Sequence, residues 1–237
     1  MSGTARATLI GFSAVVMWAL LALLTDASGS VPPFQLATMA FAIGAALGFA
    51  ARLLSPPVKA PPVPAQVWVI GIAGLFGYHF FYFTALRNAP AVDASLIAYL
   101  WPLLIVVGSA LLPGERLRWH HLAGAVLGLA GAFLIVGKGS RLDFDGRYAT
   151  GYAAAAVCAL VWSSYSLLSR RFPAVPTGVV TWFCAATAVL SLVCHLFLER
   201  TVWPEGWSQW LAVAGLGLMP VGAAFYDFFP DNFAGGK

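Results

Sequence analysis

Tyr78, His79 and Tyr82 lie within four positions of one another inside a stretch, Ala60 to Leu86, that carries no Asp, Glu, Lys or Arg. On a helix this spacing puts the two phenols one turn apart and the imidazole on the adjoining strip. Such a strip suits a small amphipathic solute: ring faces stack or hold a cation, and the imidazole donates to a carboxylate when protonated or accepts a hydrogen bond when neutral. The same spacing also suits aromatics that only pack and a histidine satisfied by a neighbouring helix. Tyr99 and Trp101 flank Leu100 and precede Pro102. Proline lacks an N–H and its ring clashes with the preceding turn, so it breaks a helix there and frees carbonyls able to accept from an ammonium group. A kink that merely shapes packing is the alternative. Trp162, Tyr165 and Ser166 share a helical face by i, i+3 and i+4 spacing, with Ser163 beside them, and Met17 and Trp18 are secondary cavity candidates. For Trp18 and Trp162 the competing reading is an aromatic belt at a membrane surface, which is where Trp119, Trp203 and Trp207 are expected. His120 and His121 follow a basic turn and are expected at headgroup level, and His195, near the end of an apolar stretch, is expected to point to the interface.

Bond-making chemistry has little support. The chain has no His-Glu-x-x-His, no Gly-x-Ser-x-Gly and no Gly-x-x-x-x-Gly-Lys motif, so neither a zinc site, a nucleophile turn nor a phosphate loop is indicated. Paired carboxylates inside apolar stretches are also missing, which removes the usual general acid and base. No enzyme activity, cofactor or metal is expected. Cys158, Cys184 and Cys194 all fall in apolar stretches and read as small packing residues.

The elements that must position these residues follow from composition. The 237 residues are 60% hydrophobic and only 9% charged, too few polar side chains to cover a globular surface in water. Eight charge-free stretches of 19 residues or more run over Ala7–Thr25, Ala27–Ala51, Ala60–Leu86, Ala94–Gly114, Trp119–Gly137, Tyr148–Ser169, Phe172–Leu198 and Gly206–Tyr226. Each is long enough for one helix across a hydrocarbon layer of about 30 Å. Backbone groups in lipid must be satisfied within the segment, and barrel-type alternation is absent, so an all-α membrane protein with eight transmembrane helices is predicted. The first stretch follows Arg6 and has a signal-peptide alternative, set aside because its core is long and seven more stretches follow. Eight of the 13 basic residues fall on the side of the N-terminus, which places both termini in the cytoplasm, although Lys138 to Arg147 is a basic loop on the opposite side. No loop interleaves basic and aromatic residues, so nucleic acid is excluded as a partner; the lipid bilayer and a small-molecule substrate remain, and oligomeric state is not readable. Ser55 to Pro64 is proline-rich and reads as an extended tether, and Asp93, after Ala89-Pro90, reads as a helix-start residue at the interface, with a proton-carrying role as the alternative. Gly44 with Gly48, Gly124 with Gly128, and Gly71, Gly74 and Gly77 read as close-packing points between helices.

The pattern of Gly11 to Leu24 is similar to that of Gly151 to Ser164, and Trp68 to Phe83 is similar to Trp210 to Tyr226. A five-helix unit repeated once would insert upside down the second time, giving an inverted repeat with a binding site near the midplane. The run from Trp101-Pro102 through Gly114-Glu115-Arg116 to His121 and the Gly124, Gly128, Gly131 series resembles the EamA-type drug/metabolite transporter superfamily. Tyr78 to Tyr82 and Tyr99 to Pro102 most resemble its YddG-type aromatic amino acid exporters. The resemblance covers Arg6 to Tyr226 and implies ten helices in a 5+5 arrangement. Residues 1–137 then form the first repeat, 148–226 a partial second one of three helices, and 227–237 an atypical tail. It implies an inner-membrane exporter of aromatic or other neutral amino acids working by alternating access, with Tyr78, His79, Tyr82, Tyr99, Trp101, Trp162 and Tyr165 around the substrate. The missing last two helices raise the rival expectation of a truncated, non-transporting fragment, and a carrier of nucleotide sugars or drugs is the other rival.

Overall fold

The computed structural model describes residues 3–54, 62–112, 114, 117–137, 145–172, 175 and 178–224. Every regular element among them is helical: α1 (Gly3–Ala27), α2 (Pro33–Leu54), α3 (Ala65–Asn88), α4 (Ala91–Ala98), α5 (Trp101–Ser109), α6 (Trp119–Gly137), a 3₁₀ turn (Gly146–Tyr148), α7 (Ala149–Ser169), α8 (Gly178–Leu198) and α9 (Trp207–Leu218), which runs into a π turn (Met219–Ala223). Five segments, Pro33–Leu54, Ala65–Asn88, Ala91–Ser109, Gly146–Ser169 and Gly178–Leu198, are long and apolar enough to cross a membrane. The tail expected at 227–237, most of the Ser55–Pro64 tether and most of the Lys138–Arg147 loop lie outside the described residues.

Proline sets two of the boundaries. Pro90, at φ −53° and ψ 132°, ends the α3 direction and starts α4 at the next residue, because the residue before a proline is driven away from helical angles. The fourth apolar stretch is broken as expected: α4 ends at Ala98, and Leu100 N–H turns back to the Ile97 carbonyl at 3.1 Å before α5 begins. Pro102 has no N–H to offer the carbonyl of Ala98, so a continuous helix cannot form across this point.

The chain divides into two compact units, Met1–Pro64 with Ala174–Lys237, and Ala65–Pro173. In the first unit α2 and α8 run antiparallel. Phe34 at the start of α2 meets Glu199 just past the end of α8, and Phe49 lies edge-on to Trp182 at 5.0 Å. Helix α9 approaches α2 through small residues: a Cβ on Gly44 would touch Val221, and one on Gly217 would overlap Ile43. Cys184 is fully buried here.

In the second unit α3 and α7 run antiparallel with the same device. The Tyr165 ring lies directly over Gly74, Val161 sits 3.4 Å from where a Gly77 Cβ would stand, and Gly151 presses on Asn88 and Ala89. Short α4 packs its Ala94 into a cluster with Ala85, Ala89, Ala154 and Ala155. Gly44 and Gly74 are thus close-packing points, whereas among the described residues no atom outside α6 comes within 4 Å of a Cβ at Gly124, Gly128 or Gly131. Helix α6 meets α4 and α5, and it does so through other positions, so helical spacing of glycines shows only that a close approach is possible there.

Candidate functional site

The second unit gathers most of the candidate residues. Tyr78 and Tyr82, one turn apart on α3, stack at 5.8 Å with planes 6° apart. Trp162 of α7 tilts onto Tyr78 at 5.0 Å, and Tyr165 continues the series at 5.4 Å from Trp162. Gly74 makes this possible, since any larger residue would occupy the space of the Tyr165 ring. His79 meets Tyr78 edge-on at 5.2 Å, and its Nδ1 lies 2.7 Å from the Leu75 carbonyl. A carbonyl only accepts, so Nδ1 carries the hydrogen and a neutral ring presents Nε2 as its acceptor. The Tyr82 hydroxyl and Ser95 Oγ of α4 are 3.4 Å apart. Tyr99, in the turn after α4, is exposed.

Trp101 is half-buried at the start of α5 and, among the described residues, takes no part in this ring network. Ser163 and Ser166 share the α7 face but turn inward along their own helix, donating to the Ala159 carbonyl at 2.6 Å and the Trp162 carbonyl at 2.8 Å. Met17 and Trp18 belong to the first unit. The Trp18 indole donates to the Pro220 carbonyl of the π turn at 3.2 Å, and Met17 is half-buried.

A second polar cluster escaped the sequence reading. His195 does not point to the interface; it is buried at 4% exposure. Its Nδ1 lies 2.9 Å from Glu199 Oε2 and its Nε2 2.9 Å from Thr201 Oγ1. The Glu199 side chain, 1% exposed, accepts from the backbone N–H groups of Phe34 and Gln35 at 3.0 Å each. A carboxylate is favoured there because the first amides of α2 have no partner within the helix. Gln35 Oε1 in turn accepts from Val202 N–H at 2.9 Å. The signal was present as a histidine and a glutamate four apart, but Glu199 lies beyond the apolar stretch that contained His195.

Asp93 sits in the first turn of α4, as expected of a helix-start residue, but is buried instead of standing at a surface, and accepts from the Tyr152 hydroxyl of α7 at 3.2 Å. Outside the spans, Asp145 caps the 3₁₀ turn, and the Arg147 guanidinium and amide hold its carboxyl below the ordinary value. Trp119, Trp203 and Trp207 are exposed, as are His120 and His121. Among the described residues no group of three or more His, Cys, Asp or Glu is placed to hold a metal ion.

Residues 5–137 match the EamA-like transporter family. The chain belongs to that family. It is 56% identical over 226 residues to the aromatic amino acid exporter YddG of Ancylobacter novellus, covering 94% of this chain and 78% of that protein. It is 26% identical over 205 residues to the protein of the same name from Salmonella typhimurium, covering 81% and 68%. The pseudopaline exporter CntI of Pseudomonas aeruginosa is 26% identical over 219 residues, covering 92% and 74%. A solved crystal structure superposes with a TM-score of 0.87 at 55% identity, covering 94% of this chain and 79% of that one. As an EamA-like family member with apolar helices of spanning length, the chain is a multi-pass membrane protein of a transporter family, and its named relatives are exporters.

Proposed function

We propose that this EamA-like protein moves aromatic or other neutral amino acids outward across an inner membrane by alternating access, with the α3–α7 aromatic face as one wall of the substrate path. The observation that carries this reading is the ring series from Tyr82 through Tyr78 and Trp162 to Tyr165, with His79 alongside. A planar side chain gains from stacking on such a face, each ring contact contributing about 0.5 to 1.5 kcal/mol. The phenols and the His79 ring supply hydrogen bonds for an amino acid's charged end, and no bond of the substrate changes.

Helix pairing supports the inverted repeat. One unit joins α3 to α7 and the other joins α1 to α9 and α2 to α8. Exchanging α1, α2 and α3 with α7, α8 and α9 turns the first pair into the second and returns α2–α8 to itself, which is what two copies related by a two-fold axis in the membrane require. The basic residues place both termini in the cytoplasm in this reading.

Reconstituted into phosphatidylethanolamine and phosphatidylglycerol vesicles, the chain is expected to carry radiolabelled L-phenylalanine. Trp162→Ala and Tyr78→Ala are expected to raise the half-saturating concentration about tenfold, the effect of losing about 1.4 kcal/mol of contact. Unchanged values in both variants would remove the wall from the transport path.

A further inference from the structure

Helix α4 has only eight residues, Ala91 to Ala98, with a break at each end: Pro90 before it, and Tyr99-Leu100 with Pro102 after it. Its Ala94 packs among Ala85, Ala89, Ala154 and Ala155, small side chains with low ridges, and Phe81, Leu86, Tyr148 and Tyr152 border that patch. Direction comes instead from two phenols on two different helices. Tyr152 of α7 donates to Asp93 at 3.2 Å, and the Tyr82 hydroxyl of α3 faces Ser95 at 3.4 Å.

Building on the proposed transport role, we infer that Asp93 and Tyr152 form a latch that docks α4, and with it Ser95 and Tyr99, against the aromatic wall, so that opening this latch is a step of the transport cycle. Asp93 is a buried carboxylate whose side chain has Tyr152 as its partner among the described residues. Losing that donor leaves a buried charge unpaired, a cost relieved when α4 swings away and water reaches the carboxylate. Removing both partners takes away the pull as well as the bond, because an apolar pair of matching place asks for no hydration. The latch therefore has a signature that plain loss of packing lacks: the single change at Tyr152 is worse than the double change.

The test compares four proteins in the vesicle assay with L-phenylalanine: the unaltered chain, Tyr152→Phe, Asp93→Asn, and Tyr152→Phe combined with Asp93→Ala. Tyr152→Phe is expected to lower the maximal rate about tenfold, in keeping with an unpaired charged group, while shifting the half-saturating concentration little. Asp93→Asn, whose amide oxygen still accepts from Tyr152, is expected to stay near the unaltered rate, and the double variant to fall between it and Tyr152→Phe. In parallel, a Tyr99→Cys substitution is made in each protein and its labelling by a water-soluble maleimide is followed, with the same protein lacking that substitution as the background for the native thiols. Labelling is expected to quicken most in Tyr152→Phe, less in the double variant and little in Asp93→Asn. Equal labelling across the four proteins, or a double variant no better than Tyr152→Phe, overturns the latch. Should no variant carry phenylalanine while labelling still follows this order, the substrate reading falls and the latch stands.

Discussion

The α3–α7 joint of one unit and the α1–α9 joint of the other come from helices with similar sequence patterns, and each sets a tryptophan of one helix against its partner. They differ in what the tryptophan finds. Trp162 meets the ring of Tyr78 at a tilt of 52°, so the contact is between two rings. Trp18 instead spends its indole N–H on the carbonyl of Pro220, inside a π turn where proline lacks the N–H that a regular helix would use. One joint is lined by rings and the other braces a distorted turn. The lesson is that helices of similar sequence pattern can meet through different chemistry, ring against ring in one joint and indole against carbonyl in the other.

The largest test of that contrast lies at the end of α8 in the bracing unit. Glu199→Ala strands buried His195 and the first amides of α2, and is expected to cost about 3 to 5 kcal/mol, read as a drop in thermal unfolding temperature in detergent. The two crossings separate next. Gly74→Val and Gly217→Val each force a side chain into occupied space, the Tyr165 ring in one case and Ile43 in the other. Both are expected to destabilise by about 1 to 3 kcal/mol, but only Gly74→Val should also weaken L-phenylalanine binding measured by calorimetry. A smaller effect is expected from Trp18→Phe, which removes one hydrogen bond and should cost about 0.6 to 2 kcal/mol of stability. Trp162→Phe keeps the ring contact and should change binding more than stability. Smallest of all is Thr187→Val. Among the described residues the buried Thr187 hydroxyl has no hydrogen-bond partner, whereas Thr84 donates to the Phe80 carbonyl at 2.7 Å. Thr187→Val should therefore be neutral or stabilising and Thr84→Val destabilising, a difference visible in paired melting curves.

Helical architecture was legible in the sequence because charge-free runs of spanning length admit little else, and the break near Pro102 was legible because proline acts through its own backbone. The α3 face was legible for a similar reason: Tyr78 and Tyr82 are held one turn apart by the helix that carries them. What could not be read was set by contacts between helices. Trp101 stands next to Tyr99 in the chain yet apart from the ring network, since the turn at Tyr99-Leu100 changes the direction of the helix between them. Gly124 and Gly128 have the same spacing as Gly44 and Gly48 but, among the described residues, no partner atom within 4 Å. His195 was misjudged because segmenting the chain by charge separates it from Glu199, the residue that makes its buried place tolerable. Burial of Asp93 likewise depends on Tyr152, 59 positions further along the chain.

The stacked phenols of Tyr78 and Tyr82 and the indole of Trp162 are also chromophores held at short range and fixed angles. Light absorbed by either phenol passes readily to the indole, and the transition dipoles, held rigid, give rise to near-ultraviolet circular dichroism. The molecule therefore carries its own optical gauge: a solute sliding between these rings would alter both signals with no dye attached.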